Sequence, residues 1–551
     1  MKHNNKWKKP DIETTVFLFF LIGMAVYYGW RLVALIPWYD ELYTYYYFIS
    51  RGPVYAAIHW PLPNNHVGYS TLSACLGIFG SPAVALRGVS YLCSLGSLVF
   101  IFRIGRKLFE PGMALIPVFL FAGLNLVNNL AVQGRGYALV TFCYLIAIWE
   151  LLSIVAEGRD RTGNYMMFGI SLVIALWAIP SSVYVVVPIC LIGGWVALLQ
   201  KEYKQLIGLV ITSLISAVCT VGLYAVIWLA IGSNLLSKTP DNGCYGQGHI
   251  DIILHAPFAA MRTGIEYMLD TPYIQSVSRT GFSGQFKEWL QTLFGTHFAY
   301  VSGGHKGIVY AIIFMTSVIF LIGKIIRQYK NREYPLFDKY APGNRSDDAL
   351  EAILWKRYEK FTVWYLLLTI ILLPLFLIIQ CTLPYYRVFS FAGVMVALLI
   401  TWLVQCVIEI SGAGDRLKKY IYITAIIVSG ILCLGDFCVN SQPYSMRDEL
   451  VKDAYEQIDI ENMETIAVTD CDQEYLLLYL YGIGEERVTR QISEADVVLV
   501  DKYLLGRDYD YREMPEEWKF YLTQEEMQPD YLEQEMEPVY ENWQFVLYVR
   551  R

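Results

Sequence analysis

The 551-residue chain is predicted to be an all-α polytopic membrane bundle of about eleven transmembrane helices, with a small C-terminal α/β domain on the outer side. Three observations predict it. First, 55% of the residues are hydrophobic and only 17% are charged, against about 25% charged in soluble globular chains. Second, long apolar runs recur, each near the roughly 20 residues needed to cross a bilayer. Third, the charge changes sign along the chain. From Ser441 onward there are 27 acidic and 10 basic residues, a net of −17, which leaves +10 on the remainder. A cationic membrane body therefore ends near Pro443 and an acidic soluble tail begins. Acidity of this order argues against nucleic-acid binding by the tail.

The apolar runs begin near Thr15, Pro82, Gly112, Tyr137, Tyr165, Ser182, Leu206, Gly307, Phe361, Phe389 and Tyr420. Pro180 and Pro188 leave the boundaries between 165 and 200 open, because proline breaks or kinks a helix. The basic start (Lys2, Lys6, Lys8, Lys9) leads into an apolar run without a convincing small-residue cleavage site, so it reads as a retained first span. Lys and Arg collect in alternate loops: Arg103, Arg106 and Lys107; Arg159 and Arg161; Lys201 and Lys204; residues 324–360; Arg416, Lys418 and Lys419. The positive-inside rule then puts the N-terminus in the cytoplasm, and an odd number of spans puts the tail outside.

Residues 1–440 form the expected membrane domain, with long outer loops at 38–81 and 233–306. The first loop contains a short apolar stretch, Val67 to Phe79, too short to span and read as interfacial. Residues 441–551 form the expected tail domain. Strands are predicted at Glu464–Thr469, Ala495–Val500 and Trp543–Val549, with a helix from Glu474 to Tyr481. Gly482-Ile483-Gly484 lacks the third glycine and the following helix of a dinucleotide loop. The eleven cysteines show no zinc spacing. His249, Asp251, His255 and Glu266 offer a loose metal-ligand spacing, so a divalent metal is possible, but the visible residues do not require one and no cofactor is needed.

The chemistry-bearing residues cluster at the outer face. Asp40 and Glu41 follow the first span, where acids are expensive unless functional. An Asp at the wet mouth of a span can serve as a general base. Asn64, Asn65 and His66 precede the interfacial stretch. Arg87, Arg135 and Arg387 lie at outer span ends, where inside-only charge is expected. Each arginine is either a headgroup anchor or a bidentate phosphate ligand. Asn64-Asn65 doubles as an ordinary turn signal, and His66 as a structural interfacial histidine.

At these residues the chain resembles the GT-C superfamily of membrane glycosyltransferases, within it family 39, the protein O-mannosyltransferases and aminoarabinose transferases. The matching pieces are Asp40-Glu41-Leu42-Tyr43-Thr44, Pro63-Asn64-Asn65-His66-Val67-Gly68-Tyr69, Ala85-Leu86-Arg87, Gly105-Arg106-Lys107-Leu108-Phe109, Arg135-Gly136-Tyr137 and Tyr386-Arg387. Val67 and Gly68 stand where relatives often carry prolines. The resemblance covers roughly residues 15–410. It implies an inverting transferase that takes a sugar from a polyprenyl-phosphate carrier and passes it to a hydroxyl of a glycan, polymer or protein at the outer leaflet. Asp40 would be the base and Glu41 its catalytic neighbour. Arg387, Arg135 and His66 would hold the donor phosphate, while Tyr43, Asn64, Asn65, Arg87, Tyr137 and Tyr386 would line the cleft. The competing class is a transporter or flippase of a lipid-linked or anionic substrate. Against it, the sequence has no internal repeat and no matched pair of broken helices.

Overall fold

The computed structural model describes residues 11–59, 65–159, 161–231, 275–276, 312, 315–324, 326, 347–380, 382–383, 386–410, 414–502, 522 and 526–551. They divide into two compact units, each assembled from separated stretches of sequence. The first comprises Met1–Trp30, Ala57–Tyr69 and Val89–Ser441; the second comprises Arg31–Ala56, Ser70–Gly88 and Gln442–Arg551. The acidic tail thus shares a unit with the residues around Asp40.

Among the described residues, eight helices are long and apolar enough to cross a membrane: Ile12–Ala34, Pro82–Leu108, Tyr137–Ala156, Pro180–Leu199, Tyr203–Ile227, Ile353–Phe376, Arg387–Ile410 and Arg416–Asn440. Three of the eleven apolar runs account for the difference. The run starting near Tyr165 is a helix of 17 residues, Thr162–Ala178. The run from Gly307 lies largely outside the described residues, apart from Met315–Lys324. The run from Gly112 is broken into Leu115–Ala122 and Asn125–Leu130.

The break falls at Gly123 and the extended Leu124, and Gly123 also lets two segments touch. A β-carbon at Gly123 would lie 2.6 Å from the Cα of Cys433, on the Asp415–Asn440 helix. Backbones approach this closely only where one partner has no side chain. Gly123→Ala is therefore expected to destabilise the protein by about 1–3 kcal/mol, as overpacking does, read as a lower melting temperature in detergent. Nearby, Asn128 donates to the carboxylate of the buried Asp436 (2.8 Å), and Asn440 donates to the same oxygen (3.0 Å). These amides satisfy a charge that hydrocarbon could not.

Pro180 ends the preceding helix as the sequence suggests. Ile179 is extended, as residues before proline are, and a single 3₁₀ turn leads into Val183–Leu199. At the opposite end of the bundle, Asp11 pairs with Arg106 (2.5 Å), and Glu13 accepts the Ala114 N–H (2.7 Å). Two short strands, β1 (Gln275–Ser276) and β2 (Thr382–Leu383), pair antiparallel just ahead of the turn that carries Arg387.

The second unit contains the tail sheet: β3 (Ile466–Val468), β4 (Val488–Thr489), β5 (Val497–Asp501), β6 (Met536–Glu541) and β7 (Phe545–Arg550). The order is β4-β3-β5-β7-β6, with β3 parallel to β4 and β5 and the other pairs antiparallel. The helix Cys471–Tyr481 connects β3 to β4. Asp470 caps its start by accepting the Gln473 N–H (3.1 Å), and Gly482, at φ +68°, closes its end. β4 and β6 carry no alternating pattern, and the sequence reading did not include them. Ala467, Val498, Val500, Leu532 and Met536 form the core.

Candidate active site

The second unit presents Asp40 on the one-and-a-half-turn helix Tyr39–Thr44. Trp38 starts that helix, with its N–H held by Glu41 Oε2 at 3.0 Å. Thr44 donates its hydroxyl to the Asp40 carbonyl at 2.7 Å. The Asp40 side chain is partly exposed, whereas Glu41 has no exposed surface.

Glu41 is paired fork to fork with Arg87: Nε to Oε1 at 2.7 Å, and Nη2 to Oε2 at 2.9 Å. Arg87 is equally buried. Its remaining N–H groups donate to the carbonyls of Arg31 (3.3 Å), Leu32 (3.3 Å), Leu35 (2.6 Å) and Ile36 (3.4 Å). These carbonyls lie at and just beyond the end of the first span, where the helix leaves acceptors in need of donors; that of Arg31 also accepts the Leu35 N–H, at 3.4 Å. Arg87, expected to line the cleft, instead ties the first span to the Asp40 helix inside the protein. Glu41, expected beside the reacting groups, has both oxygens committed to this tie. Tyr43, also expected in the cleft, is 2% exposed and sits among Tyr47, Phe48 and Tyr475.

The first unit brings together the expected phosphate ligands. The backbone from Ala131 to Gly136 is not helical, yet it is buried in the bundle. Such backbone needs internal partners in a membrane. Two serines one turn apart on the Pro82–Leu108 helix supply them: Ser94 donates to the Ala131 carbonyl (2.7 Å), and Ser90 to that of Gln133 (2.6 Å). Held this way, Gly136 donates its N–H to His66 Nδ1 at 3.0 Å. Arg135 Nη2 lies 3.3 Å from His66 Nε2, and Tyr137 meets the imidazole edge-on at 5.2 Å. The packing is tight: β-carbons on Gly68 and Gly136 would lie 2.9 Å from the Trp177 ring and 2.8 Å from Ile179. Gly68 is thus fitted to an indole.

His66 is 4% exposed. Burial, then the charge of Arg135, then that of Arg387, hold its imidazole well below the ordinary histidine range, so it is neutral. With Nδ1 accepting from Gly136, its proton sits on Nε2. Arg387 reaches the group from the 3₁₀ turn Tyr386–Phe391. Ser390 anchors that turn at 3.3 Å from the Thr141 hydroxyl, with Phe391 edge-on to Tyr144. A base whose folded pKa is depressed binds protons more readily when unfolded, so acid favours unfolding. The wild-type melting temperature is expected to fall as pH drops through His66's ordinary value of 6.5, and His66→Gln to flatten that dependence. An identical slope in both proteins would contradict the neutral assignment.

Asn65 is fully buried and donates to the His59 carbonyl (2.6 Å), a turn-holding role. Only the backbone of Tyr386 is described, and Asn64 lies outside the described residues, as do His249, Asp251, His255 and Glu266. Among the described residues, no group of three or more His, Cys, Asp or Glu side chains is arranged to hold a metal ion. Sequence reasoning missed Arg31, which is fully buried and donates to the Tyr444 hydroxyl (3.0 Å). The signal was present, because Arg31 breaks the same inside-only charge rule that singled out Arg87.

Residues 67–229 match the model of the dolichyl-phosphate-mannose-protein mannosyltransferase family. The matched stretch contains Arg87, Arg135 and Tyr137 and leaves Asp40, Glu41, His66 and Arg387 outside it. No curated protein matches the chain. Among solved structures, the oligosaccharyltransferase of Archaeoglobus fulgidus in the apo form is similar at 12% identity and a TM-score of 0.43, over 90% of this chain and 70% of that one. The same organism's enzyme AglB, solved with an inhibitory peptide and a dolichol-phosphate, is similar at 11% identity and a TM-score of 0.39, over 89% and 70%. These likenesses are loose. The family match covers under a third of the chain, and the long apolar helices among the described residues fit a multi-pass membrane protein with a segment similar to that family.

Proposed function

We propose that this protein is an inverting glycosyltransferase that moves a sugar from a polyprenyl-phosphate carrier to an acceptor hydroxyl at the outer face of the membrane. The observation that carries this reading is the convergence of His66, Arg135 and Arg387 around one buried imidazole. An anionic oxygen beside this pair would accept from the imidazole N–H and the Arg135 guanidinium together. The donor's phosphate is such an anion, and it gains charge as the sugar leaves.

The reaction needs one base and one anion site. Asp40 takes the proton of the acceptor hydroxyl. The acceptor oxygen then forms a bond to the anomeric carbon from the face opposite the phosphate. The bond from that carbon to the phosphate oxygen breaks, and polyprenyl phosphate departs with the electron pair. Arg135 and Arg387 offset its negative charge, an electrostatic contribution that grows toward the transition state. Glu41 and Arg87 are positioning residues. The N-terminus is cytoplasmic and the tail outside in this reading, as the basic loops indicate.

The test is binding of polyprenyl phosphate without turnover. Arg135→Ala and Arg387→Ala are each expected to weaken binding about 10–100-fold, the range of a lost charge-assisted hydrogen bond. Wild-type affinity in both variants would remove the phosphate site. Turnover is expected to survive a chelator, because the arginines carry the compensating charge. A strict metal requirement would reassign that task to an ion.

A further inference from the structure

We infer that the C-terminal domain acts as a positioning clamp on the Asp40 helix, through Glu474 and Tyr475. The inference rests on the reading of Asp40 as the base. The Tyr475 ring stands at the centre of an aromatic cluster drawn from both sides of Asp40. The rings of Tyr39, Tyr43, Tyr46 and Tyr47 lie 6.2, 6.1, 4.8 and 5.8 Å from it, centroid to centroid. Aromatic pairs at these separations have directional preferences, so the cluster fixes rotation as well as distance. The Tyr46 hydroxyl donates to the Glu474 carboxylate, and Tyr45 meets Tyr479 edge-on at 5.4 Å. Arg51 pairs with Glu485 at 2.8 Å.

The backbone is shaped for these contacts. Directly after the Asp40 helix, Tyr45–Ile49 is a π-helical turn, a wider winding that recurs at functional sites. It places the consecutive residues Tyr45, Tyr46 and Tyr47 against the single tail helix Cys471–Tyr481.

The domain's own ligand position is meanwhile taken up internally. Open α/β sheets take ligands beyond the carboxyl ends of parallel strands, where the chain reverses its direction across the sheet. Here that point lies between β3 and β5. Arg447 occupies it, paired with Asp470 and lying 3.4 Å from Asp472 and 3.6 Å from Asp501. Gln473 closes the crevice further by donating to the Leu499 carbonyl at 3.0 Å. Among its described residues, the domain meets the Asp40 segment chiefly through the Cys471–Tyr481 helix, on which Tyr39, Tyr43, Tyr46 and Tyr47 pack, with the Arg51–Glu485 pair beside it.

The test uses the full-length protein in proteoliposomes, with steady-state kinetics on a polyprenyl-phosphate sugar and backbone amide exchange on the same samples. Tyr475→Ala is expected to lower kcat by about 10–100-fold, as a displaced catalytic group does, with the donor KM within about twofold of wild type. Tyr475→Phe, which keeps the ring, should restore kcat. Exchange over Tyr39–Ile49 should quicken in Tyr475→Ala while β5 stays protected. Unchanged kcat together with unchanged exchange over Tyr39–Ile49 overturns the clamp. If Tyr475→Ala does not fold, Tyr46→Phe and Glu474→Gln take its place. Each removes one hydrogen bond and keeps the rings, and each should quicken exchange at Tyr45–Ile49 without adding in the double variant. No effect, or additive effects, overturns the proposal. Should wild type turn over no donor, the reaction proposed above fails, and the exchange measurement still decides the clamp.

Discussion

Asp40→Asn is expected to leave a folded protein that still binds polyprenyl phosphate but turns over about 10²–10⁴-fold more slowly, the range that a positioned general base contributes. Asparagine keeps the shape and loses only the ability to accept the proton. The fold should tolerate it, because Asp40 is partly exposed and asparagine has the same size and keeps a side-chain oxygen that accepts hydrogen bonds, while the Thr44 hydroxyl bonds the backbone carbonyl. The proposed phosphate ligands His66, Arg135 and Arg387 belong to the other compact unit, so donor affinity should be retained. A variant that loses binding and turnover together would point to a structural role for Asp40. The combination to be measured is therefore kcat, polyprenyl-phosphate affinity and melting temperature on one preparation.

The second large effect concerns stability. Arg87→Met is expected to cost about 3–5 kcal/mol, because it strands the buried Glu41 carboxylate without its partner. It also removes donors from four carbonyls at the end of the first span. Arg87→Lys should rescue little. A lysine has no fork to meet both Glu41 oxygens and the carbonyls of Leu35 and Ile36 at once. The paired variant Glu41→Gln with Arg87→Met should be more stable than Arg87→Met alone, since no uncompensated charge is then buried. Melting curves of the four proteins check this. If Arg87→Met melts like wild type, the clamp at the first span has no energetic weight.

The membrane body was legible because spans announce themselves locally. Eight of the eleven apolar runs are long spanning helices among the described residues. Thr162–Ala178, though shorter, is also a helix at its expected place. The tail strands at Ile466–Val468, Val497–Asp501 and Phe545–Arg550 lie within or overlap the predicted ones, because they alternate or run apolar between turn residues. The run from Gly112 misled for a definite reason. Its mean apolarity is high, and the single Gly123 break is visible only once Cys433 is known to lie against it.

The site was half legible. Acids and arginines at outer span ends marked the candidate residues, but local sequence does not say which way a side chain turns. Arg87 reads the same from sequence whether it faces a cleft or, as here, a carboxylate 46 residues earlier in the chain. The grouping of His66, Arg135 and Arg387 came from the family resemblance, and the backbone from Ala131 to Gly136 that makes it possible depends on two serines with no pattern of their own. The association of the tail with the Asp40 helix had no sequence signal at all, because it joins residues more than 400 positions apart.

The most direct measurement is sugar transfer in proteoliposomes from a panel of radiolabelled polyprenyl-phosphate sugars, wild type beside Asp40→Asn at matched folded protein. Transfer or release by wild type, with a loss of about 10²–10⁴-fold in the variant, is the predicted result. Equal turnover by both proteins would contradict the assignment of Asp40 as base, and no turnover of any donor by well-folded wild type would contradict the proposed reaction.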